Sequence, residues 1–233
     1  MDRILCVGDG FAHGHIWPEW PQILQAMIPS RMTEIVSGIG AGNEFLVSGL
    51  LDQEPNKDLV IFQWAQADRF DKIIQDQVWE DLARSDPIYG ENFYDQAGDR
   101  WWLSSASGLT EIQHYHRSYV QSQQRLRRLR DQQKLVEGFL ISRGCEYVTI
   151  STLEQDMFSR ERRFQSMRGN EMQPSPLVHL AYLEEIILPQ LSIDIDSSRI
   201  NRLKQTLNNT EWEPYHPDRE EIWREIVRGL DTG

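Results

Sequence analysis

The stretch Arg3-Ile4-Leu5-Cys6-Val7-Gly8-Asp9-Gly10 decides the fold. An apolar run of this length that stops abruptly at glycine suits a strand buried on both faces of a parallel sheet, with the glycines turning the chain at its carboxyl end. Two further runs repeat the plan. Met32 to Val36 closes in Gly38-Ile39-Gly40-Ala41-Gly42, and Asp58 to Trp64 holds Leu59, Val60, Ile61 and Phe62. A fourth strand is predicted over Glu146 to Ser151, centred on Tyr147-Val148-Thr149-Ile150. Helical patterns separate these runs at Trp17 to Ile28, Asn43 to Leu51 and Arg69 to Leu82. Strand and helix in alternation predict an α/β domain, a three-layer α/β/α arrangement with a parallel four- or five-stranded sheet.

Residues 83–109 break the rhythm. They are rich in Gly, Asp, Ser and aromatics (Tyr89, Phe93, Tyr94, Trp101, Trp102) and read as an ordered insertion that either packs internally or offers rings to a sugar. A long helix is expected from Thr110 to Arg143, with Ile112, Tyr115, Tyr119, Leu126, Leu129, Val136 and Leu140 as its apolar seam and Arg125, Arg127, Arg128 and Arg130 opposite. Ser175-Pro176 opens another helix, ended by Pro189, and Pro217 opens the last, with Ile222, Ile226 and Leu230 as its stripe. The expected organisation is a domain over 1–192, interrupted at 83–109, followed by extra C-terminal helices over 193–233.

Composition bounds the function. The 233 residues carry 24 Lys and Arg against 36 Asp and Glu, a net charge of -12, which disfavours nucleic acid and anionic lipid as partners. The two cysteines, Cys6 and Cys145, each sit in an apolar run and read as small buried hydrophobes rather than a disulfide framework. No stretch reaches the about 18 apolar residues of a membrane span, and Met1-Asp2-Arg3 leads straight into the first strand without a signal-peptide core. A cytoplasmic protein is expected.

Parallel sheets take their ligands at the carboxyl ends of the strands, where the glycine turns fall. The order of those turns resembles the SGNH (GDSL-type) hydrolases. Val7-Gly8-Asp9-Gly10 matches the family's nucleophile turn, Gly38 to Asn43 its second segment, and Ile61-Phe62-Gln63-Trp64-Ala65-Gln66 its third. Asn170-Glu171-Met172-Gln173-Pro174 matches the segment that carries the base and its orienter. The resemblance implies a flavodoxin-like SGNH fold and places the degenerate triad at Gly10, Asn170 and Gln173. Gly10 stands where the serine belongs, Gln173 where the histidine belongs, and Asn170 where the aspartate belongs. Glycine has no nucleophile and an amide takes no proton at neutral pH.

What the resemblance leaves is a set of donors. Backbone N–H groups near Gly10 and Gly40, with the side chains of Asn43 and Gln66 and the carboxylate of Asp9, would form a vestigial ligand pocket for a small carbohydrate or an acetyl group. Asp9, Glu171 and His179 are the residual ionisable groups, and His179 reads as structural. For the pair His13-Gly14-His15 only Glu19 is a conceivable further ligand, and His114 and His116 of His114-Tyr115-His116 would point about 200° apart on a helix, so neither a metal nor a cofactor is expected. The expected function is a non-catalytic binding or assembly component that self-associates through its long helix. Gly40-Ala41-Gly42-Asn43, Gln63-Trp64 and Gln173-Pro174-Ser175-Pro176 look like segments of SGNH-like proteins of bacteriophages and marine bacteria, which points to a virion or phage association. The alternative is an esterase or carbohydrate deacetylase of the same fold, with Asp9, Glu171 or a histidine of the His13/His15 pair activating water.

Overall fold

The structure, a computed structural model, describes residues 3–12, 18–38, 40–67, 69, 71–73, 75, 77, 93–96, 98–103, 122–150, 175–211 and 217–231. Its centre is a parallel four-stranded sheet flanked by helices. The strands in chain order are β1 (Arg3–Gly8), β2 (Met32–Ser37), β3 (Leu59–Gln63) and, after three short strands given below, β7 (Glu146–Ile150). They lie side by side as β2-β1-β3-β7. The register of the last pair runs from Leu59 opposite Glu146 to Gln63 opposite Ile150, in parallel. All five residues of β3 are buried, as expected of a strand with both faces covered.

Contacts divide the chain into two compact units, one of Met1, Leu5–His13 and Glu34–Thr152, the other of Asp2–Ile4, Gly14–Thr33 and Leu153–Gly233. In the first, Leu5, Val7, Val60 and Phe62 turn one face of the sheet toward helix α2 (Asn43–Asp52) and helix α3 (Ser122–Ser142). Phe45, Leu46 and Leu50 from α2 and Val136 and Leu140 from α3 complete this core. Burying a side chain of this size stabilises by about 1.5–3 kcal/mol, so the shared face holds the helices down. Gly49 lets α2 come close. A Cβ there would collide with Val36 Cγ1 and lie 2.9 Å from Gln96 Oε1.

The α3 seam differs from the expected one. Val136 and Leu140 are fully buried and Leu129 packs against the core, but Leu126 is 48% exposed. The helix ends in a Schellman turn: Gly144, at φ +66°, donates its N–H to Ile141 O at 3.0 Å, and Cys145 N–H donates to Leu140 O at 3.1 Å. The same corner is stitched to β3, because Lys57 N–H donates to Arg143 O and Glu146 N–H to Asp58 O. Residues 110–121, the first part of the expected helix, lie outside the described residues.

The expected helix over Arg69 to Leu82 is not what its start forms. Asp71–Ile73 is a strand, β4, in a small antiparallel sheet with β5 (Phe93–Gln96) and β6 (Asp99–Leu103), in the order β4-β6-β5. Asp71 pairs with Leu103 and Ile73 with Trp101, while Phe93 pairs with Trp102. The insertion therefore draws in chain from well before residue 83. Trp101 is 6% exposed and meets the Phe45 ring edge-on at 5.8 Å, so this aromatic packs inward.

The second unit is helical. Helix α1 (Trp20–Met27) opens with a capping box, in which Glu19 N–H donates to Gln22 Oε1. Helix α4 (Pro176–Tyr182) starts at the expected Ser175-Pro176 and runs through a π turn (Leu183–Ile187) into a 3-10 turn at Leu188–Gln190, where Pro189 ends it. Helix α5 (Ser197–Asn209) is capped by Asp196, which accepts the Ser198 N–H at 2.8 Å, and helix α6 (Arg219–Asp231) follows. Arg199 fastens these elements. Its guanidinium donates to Ala26 O at the end of α1, to Leu230 O and to Asp231. Among the described residues no helix is long and apolar enough to cross a membrane.

Candidate functional site at the strand ends

In the order β2-β1-β3-β7, the connections leave β1 and β3 in opposite directions. The switch point of the sheet is thus at their carboxyl ends, where doubly wound sheets form a crevice. The residues there are Gly8 and Asp9 after β1 and Gln63, Trp64 and Ala65 at the end of β3. Gly8 is required by close approach: a Cβ would lie 2.8 Å from Ala12 Cβ and 3.1 Å from Gln63 Oε1. Gly10 then opens a 3-10 turn, Gly10–Ala12, closed by Ala12 N–H donating to Asp9 O at 2.9 Å.

Two side chains tie the strand ends to one another. Arg69 Nη1 lies 2.8 Å from Asp9 Oδ2 and 3.1 Å from Ala41 O, while the Arg69 N–H donates to Gln66 O at 3.0 Å. One residue thus joins the turns after β1, β2 and β3. Asp9 is fully buried, and an unpaired carboxylate there would be costly, so Arg69 is its counter-charge. Asn43, the first residue of α2, spans the gap to β3 in the same way. Its Nδ2 donates to Ala65 O at 3.1 Å and its Oδ1 accepts the Ala65 N–H at 2.9 Å.

A third side chain, the carboxylate of Asp71, closes the set. Asp71 is 4% exposed, and its Oδ1 and Oδ2 accept the N–H groups of Gly42 and Phe45 at 2.8 and 3.0 Å. Both N–H groups lie at the start of α2, whose N-cap is Gly42 and has no side chain to accept them. Asp71 caps the helix from outside it. Burial pushes its carboxyl up to about 7, against the pull of the Phe45 and Gly42 N–H groups and with a smaller push from Glu44. Glu44 itself is held by Arg128 and by Gln132 Nε2.

The structure thus places Asp9, Gly10, Gly40 and Gln66 on the turns after β1, β2 and β3, and Asn43 at the start of α2. Gly40 sits at φ +78°, the left-handed region that favours glycine, and the Gln66 side chain is exposed. The Asn43 amide is engaged at both ends by Ala65. His13, His15, His114, His116, Asn170, Glu171 and Gln173 lie outside the described residues. His179 belongs to α4, is 1% exposed, and burial pushes its imidazole down to about 3. The Cys6 thiol is pushed well above its ordinary range by burial, and Cys6 and Cys145 are both unbridged. Among the described residues no group of three His, Cys, Asp or Glu is placed to hold a metal.

Comparison with models of protein families, with curated proteins and with solved structures returns no match. The site is therefore read from its own geometry. Two of its residues, Arg69 and Asp71, were missed by sequence reasoning because their stretch reads as helix. No local pattern marks them: Phe70, Ile73, Ile74 and Val78 recur at helical intervals, and the partners of Asp71 lie 29 and 26 residues away.

Proposed function

We propose that the chain is a non-catalytic SGNH hydrolase-like protein, a binding or assembly component of the kind associated with phage particles. The observation that carries this reading is Gly10. It follows a fully buried Asp9 at the switch point, where a covalent hydrolase needs a nucleophile and a base in reach of it. Asp9 is held by Arg69 and the Asn43 amide by Ala65, so these polar groups serve to fix the turns. Gln66, exposed at the rim, is the side chain offered to a small carbohydrate or an acetyl group. For assembly the natural partner is a second copy of the chain, meeting α3 where Leu126, Leu135 and Ile141 are exposed.

The test is hydrolysis of aryl acetates. The protein should turn them over no faster than a denatured control. Gly10→Ser alone and Gln173→His alone should add little, because members of a triad act as a unit. Gly10→Ser with Gln173→His and Asn170→Asp is the combination expected to give measurable turnover. Robust esterase activity in the unmodified protein, abolished by Asp9→Asn, would overturn the reading. Sedimentation at high micromolar concentration tests the assembly part, and a strict monomer would remove it.

A further inference from the structure

Helices α5 and α6 pack on each other and leave a groove of about 400 Å³, a size within the range of small-molecule sites. Arg199 fixes its walls. From α5 it donates to Leu230 O and to Asp231 in the last turn of α6, so the groove is held by the fold and needs no ordering when something enters. Ile226 and Leu230 give it an apolar side. Gly229, in the same last turn, leaves room, because a Cβ there would meet nothing within 4 Å. Glycine is a poor helix former and no close neighbour requires it here, so its effect is to keep the groove wide.

Two opposite charges line the groove without meeting. Arg202 of α5 is half-buried, and its Nε and Nη1 are shut off from water with no acceptor among the described residues. Asp196 acts on Arg202 only at a distance. Its Oδ1 accepts the Ser198 N–H and its Oδ2 the Ser198 hydroxyl, both at 2.8 Å. The Thr206 hydroxyl, one turn on, donates to Arg202 O at 3.0 Å. On the α6 side Glu225 is exposed and forms no ion pair among the described residues. A guanidinium N–H that has lost water without gaining an acceptor is costly, and an anion in the groove would relieve it. A bare anion would also meet Glu225, and a bare cation would meet Arg202. A molecule that carries both charges satisfies each of them.

We propose that the groove between α5 and α6 binds a free α-amino acid with an aliphatic side chain, its carboxylate on Arg202, its ammonium on Glu225 and its side chain along Ile226 and Leu230. Guanidinium and carboxylate pair through two parallel bonds, and a turn of the Arg202 side chain toward the groove it lines brings its N–H groups onto the acid. A peptide is a poorer fit, since only the free amino acid holds both charges on neighbouring atoms. The groove is built by α5 and α6 alone, so it stands or falls separately from the reading of Gly10.

Titration of the full chain with L-leucine, followed by amide shifts in NMR, tests this. The amides of Gln205, Thr206, Ile226 and Gly229 should shift together and saturate. Isocaproate, which lacks the amine, and isopentylamine, which lacks the acid, should each bind about tenfold or more weakly, the worth of a hydrogen bond to a charged group. Arg202→Met and Glu225→Gln should weaken leucine by a similar factor. Gly229→Leu should remove binding and leave the circular dichroism unchanged, because the new side chain enters empty space and suits a helix better than glycine. Absence of saturable shifts up to the solubility limit of leucine overturns the proposal. So does isocaproate binding as tightly as leucine, which would mark a site for anions alone, or leucine binding unweakened in Arg202→Met. If a variant does not fold, the comparison of the three probes on the unmodified protein decides by itself.

Discussion

Replacing Asn43 by alanine removes both partners of the Ala65 peptide at once. Ala65 N–H donates to Asn43 Oδ1 and Ala65 O accepts from Asn43 Nδ2, at 2.9 and 3.1 Å, in a place where Asn43 is 4% exposed and Ala65 fully buried. Each orphaned buried group costs about 1–3 kcal/mol. The expected loss is therefore about 2–6 kcal/mol, out of the roughly 5–15 kcal/mol that holds a domain together. At about 2–4 °C per kcal/mol for a chain of this size, the melting temperature should fall by roughly 4–24 °C. Asn43→Asp sharpens the test. It keeps the acceptor for Ala65 N–H but turns a carboxylate oxygen on Ala65 O, so it should lose more than the alanine variant at pH 8. At pH 5 part of that excess should return, because the neutral acid can donate to Ala65 O. Its folded-state pKa is raised, so its stability falls as pH rises. Urea unfolding followed by circular dichroism, at both pH values and with unchanged slope, gives the numbers. An alanine variant within about 1 kcal/mol of the unmodified protein would refute the reasoning, as would an aspartate variant whose deficit ignores pH.

Other expectations follow from single contacts. Gly49→Ala should destabilise by about 1–2 kcal/mol, overpacking against Val36 exceeding the gain in helix propensity, and adding Val36→Ala should recover part of the loss in the same urea assay. Arg199→Met should lower stability by about 2–5 kcal/mol, since three acceptors on two other helices lose their donor; a thermal melt unchanged within error would count against Arg199 as a fastener. His179 is buried neutral, so its contribution is full above pH 6.5 and lost as pH falls from 6.5 toward 3, about 2 kcal/mol of it by pH 5. In His179→Gln the difference between urea midpoints at pH 7.5 and pH 5 should shrink accordingly, and an unchanged acid limb would show that other groups govern it.

Strands β1 and β3 of the main sheet were legible because strands buried on both faces leave continuous apolar runs, at Ile4 to Val7, closed by Gly8, and at Leu59 to Phe62. Helix starts were legible where proline and a small polar residue mark them, as at Ser175-Pro176. Strand β4 was hidden because Phe70, Ile73, Ile74 and Val78 recur at helical intervals, and only pairing with Asp99–Leu103 makes Asp71–Ile73 extended. Helix α5 was anticipated only as part of a helical C-terminal region, although Asp196 before Ile200, Leu203 and Leu207 is a start signal. At the strand ends the glycine turns and Asn43 were readable, but Asp71 was not. Its partners lie 29 and 26 residues away, and no local pattern records a bond of that range.

The corner between α3 and β7 has a consequence for how the chain can change length. Arg143, Gly144 and Cys145 are all that separates the helix from the strand; Gly144 and Cys145 carry the bonds that close the helix, while Arg143 and Glu146 are bonded across to Lys57 and Asp58. The joint has no slack. One residue added between Gly144 and Glu146 would have to be absorbed by the strand, and a one-residue slip turns every side chain of β7 over. Val148 and Ile150 would leave the buried side and Tyr147 and Thr149 would take their place opposite Ile61 and Gln63. Any lineage of this protein should therefore hold the length of this corner fixed and gather its insertions at tips such as Gly98, where a side chain would meet nothing within 4 Å.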